Sequence, residues 1–291
     1  MSRLALFANC QAWPLYLLLS SLTDLSEVYC LDINGYGSPE FRQAADKALA
    51  GSEDLTIVTH PLSDHFGEYA TAQLRLNYRV LTTTNIYFNG LHPDITYVGG
   101  FQQRVPSPMG DYHSKIVLAS FLHSLSEDEC LAKFTTETYQ RAGFFDTYHT
   151  ACEELLARDE GIDIKFASQF IDKIPRQPAL FSMNHVSISL LRDQAKEIAA
   201  AIGAKWMDFP IEYLLNPMSS GPWWPIYPEI AERHNLSYRT PFAFKLSDQE
   251  PLFSLEKFIC QSYIGYRDFS GLHESPTALD LKSNFSHLLQ Y

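Results

Sequence analysis

The first ninety residues alternate short apolar runs with stretches of helical period, and no other feature restricts the fold so tightly. Arg3 to Ala8 is an apolar run that reads as a buried strand. Ala12 to Leu22 carries apolar residues at helical spacing, with Pro14 in the first turn, where its missing N–H costs nothing. Glu27 to Leu31 reads as a second strand, Pro39 to Ala50 as an Ala-rich helix, Asp54 to Thr59 as a third strand and Tyr69 to Asn77 as a helical stretch. Such repetition calls for a parallel sheet with right-handed crossovers, because each parallel strand needs a connection that returns the chain to the starting edge. Ligands of these sheets bind at the carboxyl ends of the strands. The loops Asn9 to Gln11, Asn34 to Gly37 and His60 to Asp64 are therefore where chemistry is expected.

Beyond residue 105 the pattern turns mostly helical. His113 to Leu125 has a helical period, Ser126-Glu127-Asp128-Glu129 is a capping box that opens another helix, and Ile188 to Ile202 is amphipathic and stopped by Gly203. Leu255 to Tyr266 reads as a helix, Ala179 to Ser182 as an added strand, and residues 206 to 228 as irregular, with five prolines and three of the four tryptophans. The expected organisation is a single α/β domain. Residues 1–104 form its sheet-bearing portion, and the mostly helical portion 105–291 packs on it and completes a cleft.

Charge and cysteine usage exclude several classes. Lys and Arg total 22 against 34 Asp and Glu, a net charge of −12 that repels a phosphate backbone, so nucleic acid is not an expected partner. Leu15 to Leu19 is far shorter than the ~20 apolar residues of a membrane span. The run Leu4 to Ala8 is broken by Asn9, Cys10 and Gln11 before it could serve as a signal segment. The expectation is a cytoplasmic chain without stable membrane insertion. The five cysteines are scattered, with no C-x-x-C pair, which fits neither a disulfide framework nor a zinc knuckle.

The Asn9-Cys10-Gln11 turn joins the first strand to the first helix. A thiol there faces a helix N-terminus, whose unpaired N–H groups and positive dipole end stabilise a thiolate and can hold a developing oxyanion. On this reasoning the Cys10 pKa is expected below the ordinary thiol value. The alternative is a buried structural cysteine with Asn9 as an ordinary cap. Two further segments are dense in polar groups: Asn85 to Asp94, which includes His92, and Ser182-Met183-Asn184-His185. Either His92 or His185 has the intrinsic pKa of a general base, and either could equally be a hydrogen-bonded structural residue. His60 and His65 bracket a third cluster, but no tight metal-ligand spacing accompanies it, and no metal is expected. There is no G-x-G-x-x-G, Walker A loop, G-x-S-x-G elbow or kinase signature, which disfavours the common nucleotide-dependent enzymes and α/β-hydrolases.

Taken in order, five segments resemble the WcbI-type capsular polysaccharide biosynthesis proteins: Asn9-Cys10-Gln11-Ala12; Asn85 to Asp94; Gly110-Asp111-Tyr112-His113-Ser114; Met183-Asn184-His185; and Thr240 to Leu246. Ala8, where the family often has Gly, and Val186, where Pro often follows Asn-His, are departures that mark a diverged member. The resemblance implies a small Rossmann-like, SGNH-like parallel sheet within a predominantly helical protein. It also implies an acetyltransferase that takes coenzyme A or acetyl-coenzyme A as substrate and a sugar or polysaccharide as acceptor, a homo-oligomer being compatible with it. In that frame Cys10 is nucleophile or thioester contact, and His92 or His185 is the base. Asn9, Gln11, His60 and Asn184 contact the coenzyme or acyl group, and Arg104 and Lys115, with Lys165 and Arg176 as further cations, meet its phosphates.

Two chemical routes stay open: transfer through an acyl-Cys10 intermediate, or direct attack by a sugar hydroxyl with Cys10 only holding the thioester. The alternatives to transfer are an SGNH-like carbohydrate esterase or deacetylase, in which water is the acceptor, and a non-catalytic glycan-binding protein. The last would stack sugars on Trp223-Trp224-Pro225-Ile226-Tyr227.

Overall fold

The computed structural model describes residues 2–51, 54–100 and 103–285, so the outermost ends of the expected 1–104 and 105–291 portions fall outside it. In chain order the elements begin with β1 (Arg3–Ala8), α1 (Ala12–Leu22), β2 (Glu27–Asp32), α2 (Pro39–Leu49), β3 (Leu55–Thr59), α3 (Thr71–Leu74) and β4 (Arg79–Thr82). Four short strands follow, β5 (Ile95–Tyr97), β6 (Gly99–Gly100), β7 (Gln103–Arg104) and β8 (Tyr112–Ser114). The rest is helical: α4 (Lys115–Leu122), α5 (Glu127–Leu131), α6 (Thr136–Arg141), α7 (Thr147–Arg158), α8 (Ala167–Lys173), α9 (Ile188–Ile202), α10 (Pro228–Arg233), α11 (Leu255–Asp268) and α12 (Pro276–Asn284). The chain is thus a mixed α/β protein with many helices. The sheet itself does not single out the narrower SGNH-like type.

Two compact units result, and each draws on separated segments. One takes the chain up to Tyr87 together with Glu153–Ile174 and His185–Met218, and the other takes Phe88–Cys152, Pro175–Asn184 and the chain from Ser219 onward. The units therefore do not follow a single cut at residue 104. Residues 88–104 group with the second unit, and α8 and α9 group with the sheet. Linear composition changes near residue 105, but packing follows the sheet faces that must be covered, and the helices covering them come from later in the chain.

In the first unit the four strands are all parallel, in the order β2-β1-β3-β4. β1 is central, and every residue from Leu4 to Ala8 is buried, as expected of a strand covered on both faces. One face packs Phe7, Leu31 and Ile57 against Phe41, Ala45 and Ala48 of α2 and against Tyr69. The rings of Phe7, Phe41 and Tyr69 meet within 6.4 Å of one another. Each such side chain contributes roughly 1.5–3 kcal/mol through burial. On α1 the residues Leu15, Leu18, Leu19 and Leu22 are buried, and α9 packs against this helix.

Gln194 of α9 donates to Thr83 Oγ1 and the Thr84 carbonyl just beyond β4, while past the end of α9 Met207 N–H reaches the Leu22 carbonyl at the end of α1. Both helices therefore start at the carboxyl end of the sheet and finish at its amino end. Gly203 ends α9 with φ +78°, a left-handed C-cap that a Cβ would strain.

In the second unit β5 pairs antiparallel with β8, and β6 with β7. The capping box at α5 is present as expected, with Ser126 Oγ accepting from Glu129 N–H and the Glu129 carboxylate accepting from Ser126 N–H. Its aromatic core sets the rings of Trp224, Phe244 and Phe258 within 5.2 Å of one another. The strand expected over Ala179 to Ser182 does not form, because its backbone serves a neighbouring loop instead, the Phe181 carbonyl accepting from Trp224 N–H. Among the described residues no helix is long and apolar enough to cross a membrane.

Candidate functional site

The strand order 2-1-3-4 sends the chain from β1 to one side and from β3 to the other, so a topological switch point lies between β1 and β3 at their carboxyl ends. Sheets of this order bind ligands in the crevice opened there. Two of the loops singled out from sequence leave from this point, Asn9-Cys10-Gln11 after β1 and the His60 loop after β3. Asp32, at the end of β2, lies beside Ala8 in register, and His60 N–H bonds the Phe7 carbonyl.

Asn9 organises the turn. Its Oδ1 accepts from Gln11 N–H at 3.1 Å and lies 3.9 Å from Cys10 Sγ, its carbonyl accepts from Ala12 N–H at 2.8 Å, and its Nδ2 donates to Asn85 Oδ1 at 3.1 Å. Asn9 thus takes up two N–H groups at the start of α1. Gln11 is fully buried: its Nε2 donates to the Ile86 carbonyl at 2.7 Å and its Oε1 accepts from Ile86 N–H at 3.4 Å. That pair of bonds ties the first strand–helix turn to the Asn85 segment, about seventy-five residues away in sequence.

Cys10 is half-buried on this turn. Desolvation and the negative charge of Asp32 push its thiol up to about 12, and the Cys10 and Gln11 N–H groups offset this only partly. The depressed pKa expected from the helix terminus is therefore corrected. With two N–H groups already taken by Asn9, the positive end of α1 cannot outweigh burial beside a carboxylate. At neutral pH Cys10 is a thiol. Asp32 was missed in the sequence, although a carboxylate ending the strand beside the central one is a legible signal.

The three histidines differ sharply. His60 is buried with neither ring nitrogen hydrogen-bonded, and burial lowers it to about 3, so it is neutral. His185 is half-buried and stands just ahead of Ser187, the N-cap of α9. Because α9 and α1 start at the same end of the sheet, His185 shares that end with Cys10. His92, in the second unit, is 1% exposed. Its Nε2 lies 3.1 Å from the Trp224 carbonyl, which can only accept, so Nε2 carries the proton and Nδ1 the lone pair. Burial lowers His92 to about 3.

Other residues predicted from sequence hold the second unit together. Asn184 Oδ1 accepts from Tyr112 Oη at 2.6 Å and from Ser182 Oγ at 3.2 Å. Arg104 donates to the Gly99 carbonyl at 2.9 Å and stacks over Tyr97 at 4.3 Å. Lys115 is turned inward, with Nζ 2.6 Å from the Pro93 carbonyl and 5.7 Å from the Phe144 ring, and burial lowers its pKa against the pull of Asp94. Its ammonium is held on the Pro93 carbonyl inside the second unit. His113 is also structural, bridging Tyr266 Oη at 2.9 Å and the Val105 carbonyl at 2.8 Å. The Trp223-Trp224 segment offers no open sugar platform. Trp224 is 3% exposed, while Trp223 stacks on Phe181 at 5.5 Å and lies under Lys245 at 4.9 Å. Lys165 and Arg176 are exposed. Among the described residues no three His, Cys, Asp or Glu side chains converge as a metal site.

The chain is similar to known proteins in two respects. The family model for the polysaccharide biosynthesis enzyme WcbI matches residues 3–206. A solved structure of WcbI, a polysaccharide biosynthesis enzyme in native form without a disulfide between coenzyme A and one of its cysteines, matches with a TM-score of 0.75 at 18% identity. That match covers 99% of this chain and 94% of the other. No curated protein matches in sequence. With the family model spanning well over half its length, and with the resemblance carried by the Asn9-Cys10-Gln11 turn, the chain belongs to the WcbI family of polysaccharide biosynthesis enzymes.

Proposed function

We propose that this protein is a coenzyme A-dependent O-acetyltransferase that acts in the cytoplasm on a polysaccharide, or a sugar precursor of one, during capsule or exopolysaccharide biosynthesis. The observation that carries the reading is a half-buried, protonated cysteine on the turn at the switch point of a parallel sheet, in a family with a solved member described in relation to coenzyme A. Of the two routes, the protonated thiol favours direct transfer, since a thiol is a poor nucleophile until its proton is removed. The Cys10 turn then holds the thioester. An acceptor hydroxyl attacks the acetyl carbonyl, His185 takes the hydroxyl proton, and the C–S bond breaks to release the coenzyme thiolate, which is then protonated. His185 is preferred to His92 because it is half-open at the Cys10 end of the sheet, whereas His92 is sealed and hard to protonate.

Calorimetric titration with coenzyme A tests the binding, and transfer of labelled acetyl from acetyl-coenzyme A to purified capsular polysaccharide tests the reaction. Saturable one-to-one heat and acid-stable, alkali-labile label on the glycan are expected. Absence of heat at millimolar coenzyme A, or release of acetate from acetylated glycan without any coenzyme, overturns the proposal.

A further inference from the structure

One tryptophan, Trp13 on α1, differs from the other three in exposure. Three of the four tryptophans are covered: Trp224 within an aromatic core, Trp223 between Phe181 and Lys245, and Trp206 half-buried with Lys196 over its ring at 5.7 Å. Trp13 is 52% exposed. Its ring stacks on Tyr16 with centroids 5.2 Å apart and planes at 22°, so Tyr16 backs it. Trp13 lies in the first turn of α1, within about 5 Å along the helix axis of Cys10 at a rise of ~1.5 Å per residue. Helical side chains lean toward the N-terminus, so the indole covers surface on the Asn9-Cys10-Gln11 side of its own Cα. Asp32, an exposed carboxylate able to accept from hydroxyl groups, stands at the same end of the sheet.

Resting on the function proposed above, we infer that Trp13, backed by Tyr16, is the stacking platform for the pyranose ring of the acceptor. An aromatic ring with one backed face and one open face suits the C–H face of a sugar, which is apolar while its hydroxyl edges are polar. The adenine ring of the coenzyme is the competing planar guest. It is joined to the sulfur through the whole pantetheine arm and a diphosphate, so a thioester held at Cys10 carries adenine away from a residue three positions along the helix. The ring nearest the sulfur is the one whose hydroxyl attacks. Trp13 acts as a positioning and specificity residue, and it takes no part in the chemical step.

The test uses the full chain saturated with coenzyme A on an immobilised panel of bacterial capsular and lipopolysaccharide glycans, beside calorimetry with coenzyme A alone. Wild type should retain at least one pyranose glycan. Trp13→Ala should weaken that binding by about tenfold, the size expected for a lost aromatic stack with its buried area, and Trp13→Phe should restore most of it. The melting temperature and coenzyme affinity should stay unchanged in both variants, because the indole is exposed and lies away from the adenine. Equal glycan binding by Trp13→Ala, or no pyranose glycan retained by wild type, overturns the platform while intact coenzyme binding leaves the transferase reading standing. Loss of coenzyme affinity in Trp13→Ala with glycan binding unchanged assigns the ring to adenine and also overturns the inference. Absence of coenzyme binding in wild type refutes the transferase reading itself.

Discussion

Alkylation of Cys10 by iodoacetamide separates the electrostatics of this turn from those of an unencumbered helix N-terminus. With the thiol pushed up to about 12, the thiolate fraction at pH 8 is about one in ten thousand. A free thiol near the ordinary ~8.5 holds about one in four. The more basic thiolate is intrinsically more nucleophilic, with a Brønsted slope of ~0.4–0.5, which recovers about half of the deficit on a logarithmic scale. Cys10 should therefore react roughly fifty- to a hundredfold more slowly than glutathione at pH 8, with a rate that keeps rising through pH 10 and shows no plateau. Asp32→Asn removes the second-largest cause of the shift and should speed labelling about twofold, as a partly solvated charge at short range contributes about 0.5–1 kcal/mol before the nucleophilicity offset. Peptide-resolved mass spectrometry over a pH series reads both effects. A plateau near neutral pH, or labelling as fast as glutathione, would show that the helix terminus outweighs burial and Asp32, and would reopen the route through an acyl-cysteine.

Gln11→Ala should lower the stability of the first unit by about 2–4 kcal/mol, because it leaves both Ile86 backbone groups without partners in a buried site; hydrogen exchange localised to the segment after β4 would register it, and unchanged protection there refutes the clasp. His60 and His92 are lowered to about 3 in the fold, so the unfolded chain binds more protons between the ordinary His value near 6.5 and pH 3. Their contribution is complete above pH 6.5 and is lost as pH falls through that window, and His60→Phe should flatten the acid side of a denaturation-midpoint profile, an unaltered slope counting against a neutral buried ring. His185→Ala should cut acetyl transfer by about a hundredfold or more while leaving coenzyme affinity near wild type, the range for a lost general base; a rate within threefold of wild type would move that role elsewhere. Asp159→Ala should cost about 2–4 kcal/mol, since the carboxylate accepts from Thr84 Oγ1 at 2.7 Å, Phe166 N–H at 3.0 Å and Ala167 N–H at 2.8 Å, and thermal melts would show it.

Local sequence determined the elements whose signals are themselves local. The strand at Arg3–Ala8, the helix at Ala12–Leu22, the Ser126–Glu129 capping box and the Gly203 stop all stand where spacing and side-chain chemistry put them, because each depends on residues within one or two turns. The resemblance carried by the Asn9-Cys10-Gln11 turn and the four segments after it was legible for the same reason. What tertiary structure decided is everything set by distant neighbours. β4 at Arg79–Thr82 is a strand because β3 offers it an edge, although its own short sequence shows little alternation. Lys115 reads as a surface cation at a helix start, yet the Pro93 carbonyl, Phe144 and Asp94 enclose it. Trp223 and Trp224 look like a sugar-stacking pair until Phe181, Phe244 and Phe258 close over them, and Trp13 passes for an ordinary helix residue until its exposure is seen. The sign of the Cys10 shift turned first on burial and then on Asp32, which ends a neighbouring strand. Pattern along the chain reports a residue's own preferences, whereas desolvation, pairing and exposure depend on what the fold sets against it, and only three-dimensional packing supplies that.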